Sequence, residues 1–139
     1  MIRSGLFGSA FESSAGATWI ADADALGSVL AKLNRSVLNE SVKRIPTIDF
    51  ARDGVLLIWM GDKPSGGYGI ELIKQKSHVR DGCAFVAVRW IEPAQGTMAP
   101  QVITHPYVLI RMNKSAFKRI VVVDQDGISR VALDITKKM

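Results

Sequence analysis

The spacing of apolar positions changes once along the chain. In Asp22-Ala23-Asp24-Ala25-Leu26-Gly27-Ser28-Val29-Leu30-Ala31-Lys32-Leu33, the residues Leu26, Val29, Leu30 and Leu33 recur at the spacing of one helix face, which predicts a short amphipathic helix. Asp22 is placed to cap its first free amides, Asp24 lies in the first turn where negative charge is favoured, and Asn34 supplies a stop. Trp19, just ahead, is expected to staple onto the helix. Another turn is expected around Val37-Leu38, ended by Pro46.

From Ile48 onward the pattern becomes short apolar runs between turn residues. Val55-Leu56-Leu57-Ile58-Trp59-Met60 reads as a buried strand. It is followed by strand-like runs at 68–74, 84–90, 107–112, 119–123 and 129–134. Asp81-Gly82 and Asp124-Gln125-Asp126-Gly127 predict hairpin turns. With no helical pattern of ten or more residues between the strands, repeated βαβ units are excluded. The expected fold is mostly β (α+β): an antiparallel β-sandwich or partly open barrel of about six to eight strands, with one short N-terminal helix packed against it.

The 139 residues fit a single domain spanning 1–139. Such a chain buries roughly two-thirds of its unfolded surface, enough for a core without metals or disulfides. The lone Cys83 excludes an internal disulfide, and its apolar neighbours predict a buried small hydrophobe. No apolar run exceeds six residues, so no membrane span is expected. No signal peptide is visible at Met1-Ile2-Arg3-Ser4-Gly5-Leu6-Phe7-Gly8. The net charge of +5 lies wholly in residues 51–139, but the basic residues are scattered, without a dense patch interleaved with aromatics, so nucleic acid is not the expected partner.

Little catalytic chemistry is grouped in the chain. His78 and His105 are 27 residues apart and share no metal-ligand spacing with Cys83 or a carboxylate; no metal and no cofactor are expected. Ser65, His105 and Asp62 could be assembled into a nucleophile and base, yet their spacing does not require it and GxSxG is absent. No catalytic residue is assigned, and a non-enzyme is expected. Trp59 and Trp90 end apolar strands and are expected in the core or at its edge.

The most unusual segment is Gly61-Asp62-Lys63-Pro64-Ser65-Gly66-Gly67-Tyr68-Gly69. It lacks GxxxxGK[ST] and GxGxxG, and a strand rather than a helix follows it, so phosphate binding fits poorly. A shaped protein-contact loop fits better: Lys63, Pro64, Ser65, Gly66, Gly67 and Tyr68 are the candidate contact residues, with His105 and Tyr107 as a neighbouring rim.

Phe50, the strand 55–60, the Gly61-to-Glu71 run, Val86-Ala87-Val88, Pro93-Ala94-Gln95-Gly96-Thr97-Met98 and Gln101-Val102-Ile103-Thr104-His105-Pro106-Tyr107 together resemble the C-terminal domain of the PrcB subunit of a bacterial surface protease complex. The resemblance is clearest over 48–112. It implies a non-enzymatic interaction module, an accessory or stabilising partner of a protease or envelope complex, in an exported or periplasmic setting. A looser resemblance joins Pro64-Ser65-Gly66-Gly67-Tyr68 to the inhibitory loop of chagasin-like inhibitors of cysteine proteases, although Ile70 stands where that family favours tryptophan. A small-ligand-binding or structural domain is the third reading. Strand edges in such a domain also offer a route to a homodimer.

Overall fold

The computed structural model describes residues 3–5, 14–35, 47–63, 67–94, 96, 104–114 and 117–135. The strands are β1 (Arg3–Gly5), β2 (Ser14–Ile20), β3 (Asp53–Gly61), β4 (Gly69–Leu72), β5 (His78–Arg80), β6 (Cys83–Ile91), β7 (Tyr107–Asn113), β8 (Arg119–Val123) and β9 (Ser129–Asp134), and the helix α1 spans Ala23–Arg35. One sheet has the order β1-β7-β3-β2; the other has β4-β6-β8-β9, with β5 also paired to β6. Among the described residues the fold is mostly β, with one α-helix near the N-terminal end and an open rather than closed barrel.

The long apolar run of β3 follows from burial on both faces. Leu56, Ile58 and Met60 point into a core between the sheets, where they meet Ile70, Val86, Val88, Trp90, Val108, Ile110, Ile120 and Val122. Val55 and Leu57 point the other way and, with Ile20, Tyr107 and Leu109, are covered by Leu26, Val29 and Leu30 of α1. The molecule therefore has three layers: helix, sheet, sheet. Alternate residues of a strand face opposite sides, so a strand in the middle layer must be apolar at every position.

The helix begins as its sequence requires. The Ala25 amide donates to Asp22 Oδ1 at 2.8 Å, the N-cap bond that satisfies one of the free amides. It runs through Asn34 to Arg35. The expected turn at Val37-Leu38 and its stop at Pro46 lie outside the described residues.

Both expected hairpins form. Asp81 (φ 51°) and Gly82 (φ 77°) both have positive φ, the combination that joins two twisted strands through two residues, here β5 to β6. Residues 124–128 join β8 to β9.

Four features depart from the sequence reading. Nine strands occur among the described residues, against about six to eight expected, because β1, β2 and β5 add to the six runs read as strands. One pairing is parallel, β6 with β8. Parallel neighbours need a crossover, and β7, lying in the opposite sheet, supplies it. Trp19 does not staple onto α1: it sits in β2, packs on the inter-sheet core and meets Phe117 edge-on with ring centroids 5.7 Å apart. Its ring lies so close over Gly54 that a Cβ there would overlap it. Cys83 is half-buried rather than buried, because it opens β6 at the end of the sheet.

Candidate protein-contact site

The glycine-rich loop carries the chain from β3 in one sheet to β4 in the other, and both of its ends are tied down. At the entry, pairing between the ends of β3 and β7 continues past the strands. The Met60 amide donates to Pro106 O at 2.9 Å, the Lys63 amide to Thr104 O at 2.8 Å, and the Thr104 amide back to Lys63 O at 2.9 Å. His105 Nε2 lies 3.0 Å from Asp62 Oδ1 across the same junction.

At the exit, Gly67 (φ 89°) packs where an added Cβ would stand 3.0 Å from the side chain of Pro93. Both its backbone angle and this contact suit glycine. Tyr68 is half-buried against the inter-sheet core, and β4 then pairs with β6 from Gly69 opposite Ile91. The Lys63 ammonium lies 5.4 Å from the centroid of the Tyr68 ring, a cation–π contact that joins entry to exit. Pro64, Ser65 and Gly66 lie outside the described residues.

The structure thus brings Lys63, Gly67, Tyr68 and His105 to one end of the molecule. Tyr107 is placed differently. It is 3% exposed and belongs to the cluster under α1, because it pairs with Trp59 on the helix-facing side of the sheet.

Asp62 and His105, two members of the nucleophile and base set that could be assembled from the sequence, do come together; Ser65 lies outside the described residues. Cys83 is remote from them, at the opposite end of β6 from Ile91. His78 is also remote, on β5, stacked on Phe85 with centroids 5.1 Å apart. Among the described residues, no group of three or more His, Cys, Asp or Glu is placed to hold a metal ion. No helix among them is long and apolar enough to cross a membrane.

A polar cluster that sequence reasoning missed stands beside the loop exit. Asp124 accepts from the amides of Asp126 at 2.9 Å and Ile128 at 3.0 Å through Oδ1, and from Arg130 Nε at 2.9 Å through Oδ2. Burial pushes its carboxyl up, but the two amides and the guanidinium outweigh this and hold it below its ordinary value of 3.8. Arg130 also lies 5.2 Å from the centroid of the Trp90 ring and 4.0 Å from Glu92, the residue before Pro93. Gln125 completes the cluster by accepting from the Trp90 amide at 2.8 Å and donating to Trp90 O at 3.2 Å. The only signal in the sequence was the turn chemistry of Asp124-Gln125-Asp126-Gly127, which locates the hairpin and not its partners.

No curated protein and no solved structure gives a significant match to this chain. Residues 55–113, the stretch from β3 through β7 that holds the loop and both of its anchors, match the model of the PrcB C-terminal family, so this part of the chain is similar to that family.

Proposed function

We propose that the chain is a non-enzymatic protein-interaction module, an accessory or stabilising partner of a protease or envelope complex, and that it meets its partner through the loop at 61–69. The observation that carries this reading is the double clamp on the loop, by Lys63 pairing with Thr104 at the entry and by the Lys63–Tyr68 contact between entry and exit. A loop held at both ends has less freedom to lose on binding. The similarity over 55–113 supports the reading, because it spans the loop together with its anchors. The Asp62–His105 pair then acts as a further tie at the loop base rather than as a catalytic dyad.

The test is recovery of partners from an extract of the source cells. The native protein is compared with a Lys63→Ala, Tyr68→Ala variant and with a Ser65→Arg variant, which leaves both clamps in place. Loss of a specific partner by about tenfold or more in both variants, with unfolding midpoints near the native value, is the expected result. Equal recovery by all three proteins would refute the loop-contact reading. Active-site-competitive inhibition of a papain-like protease by the native protein, lost in Ser65→Arg, would instead assign the same loop to an enzyme cleft.

A further inference from the structure

The exit of the glycine-rich loop and the β8–β9 turn stand on opposite sides of one strand end. Ala87 O accepts from the Ile73 amide at 2.8 Å, and alternate residues of a strand bond the same neighbour, so Arg89 and Ile91 bond toward β4 while the amide and carbonyl of Trp90 face the other way. Gly69, the first residue of β4, is the partner of Ile91. On the other side the pairing of β6 with β8 reaches only Ala87 opposite Val123, which leaves the Trp90 backbone beyond the ladder. Gln125 supplies the missing rung: its side chain accepts from the Trp90 amide at 2.8 Å and donates to Trp90 O at 3.2 Å. A side-chain amide carries both a donor and an acceptor, so one residue satisfies both backbone groups.

The tie continues past the strand. Arg130, held by Asp124 at 2.9 Å, lies 5.2 Å from the centroid of the Trp90 ring and 4.0 Å from Glu92. Pro93 follows, and Gly67 packs on it so closely that an added Cβ would stand 3.0 Å from the proline side chain. Residues 90–93 are therefore met by the β8–β9 turn from one side and by the loop exit from the other. The turn has the rigidity that a support needs. Asp124 bonds the Ile128 backbone twice, its amide donating to Ile128 O at 2.9 Å and its Oδ1 accepting from the Ile128 amide at 3.0 Å, and the Gly127 amide donates to Asp124 O at 3.0 Å. Residues 124–130 lie outside the stretch 55–113 that is similar to the PrcB C-terminal family.

We infer that Gln125 is a positioning residue for the contact loop: it fixes the end of β6, and the end of β6 fixes the loop exit at Gly67–Gly69. The inference rests on the reading of the loop as a contact site, and it extends that site to a turn beyond the family-like stretch. Entry and exit are then held by separate parts of the chain, the entry by pairing with Thr104 and the exit by the β8–β9 turn acting through residues 90–93. Gln125 is exposed, and the bonds that shape the turn come from Asp124 rather than from the Gln125 side chain. Its truncation therefore frees the Trp90 backbone without dismantling the hairpin, and the strand end that carries Gly69 opens more often.

Amide hydrogen exchange followed by NMR on the full chain tests this without a partner. In Gln125→Ala the Gly69 amide is expected to exchange about tenfold faster than in the native protein, and the backbone order parameters of Gly67 and Tyr68 to fall. The Lys63 and Thr104 amides at the loop entry, and the Ile58 amide in the middle of β3, are expected to keep their native rates. Ile128→Thr, a change at an exposed position of the same turn, is expected to leave the Gly69 rate unchanged. A native Gly69 rate in Gln125→Ala, acceleration spread evenly over β3 and β7, or equal acceleration in Ile128→Thr would each overturn the inference. Partner recovery reports separately on the loop-contact reading: a Ser65→Arg variant that keeps every partner refutes that reading, whereas exchange at Gly69 decides the positioning role with no partner present.

Discussion

Asp124 illustrates how one side chain acquires a role that its neighbours in sequence do not announce. In the chain it is a turn-former; in the fold its side chain is fully buried and receives two amides and a guanidinium. Because its carboxyl is held below its ordinary value of 3.8, the folded state gains stability from the ionised form. That stability is fully present above pH 3.8 and is lost as the pH falls through the lower folded value. Asp124→Asn is therefore expected to melt at a lower temperature than the native protein at pH 7, with the gap narrowing progressively below pH 4. A gap that stays constant from pH 7 to pH 2.5 would show that the carboxylate charge is not what stabilises the hairpin. Lys63 and Tyr68 are the corresponding case in the candidate contact site: both were legible as loop residues, but the contact that joins them depends on where β3 ends and β4 begins in space.

At the scale of the elements, strong periodicity was legible and weak periodicity was not. The strands at 119–123 and 129–134 match β8 and β9 end to end, and those around 55–60, 84–90 and 107–112 differ from β3, β6 and β7 only at their ends. β2 was missed because its first four residues, Ser14-Ala15-Gly16-Ala17, are small and have little strand preference. Its small residues have a packing reason: Gly16 lies under the Trp59 ring, whose Nε1 donates to Ser14 O at 2.9 Å. β5 was missed because three residues are too few to show a period. In α1, Gly27 is exposed and an added Cβ would meet nothing within 4 Å. Gly27→Ala is thus expected to stabilise the protein by about 0.5–1 kcal/mol, read as a higher urea midpoint at unchanged slope. A lower midpoint would mean that the glycine serves a purpose other than helix formation.

At the scale of the whole molecule, β3 unites the layers, pairing with β2 and β7 at its edges while its faces enter both cores. Ile58 is fully buried between the sheets, so Ile58→Ala is expected to cost about 2–5 kcal/mol, a large share of the roughly 5–15 kcal/mol that holds a domain of this kind. Denaturant unfolding measures it, and a loss below 1 kcal/mol would mean that the inter-sheet core is loosely packed at its centre. The amino-acid sequence by itself determined the fold class, the helix with its cap, most strands and the place of the unusual loop, because periodicity, capping and turn chemistry act between residues close in the chain. Only the tertiary structure decided that β6 and β8 run parallel, that Trp19 and Tyr107 face opposite cores, and that Asp62 meets His105. Each of these depends on which distant strand lies alongside and which face it covers, and residues far apart in sequence settle that only by packing together.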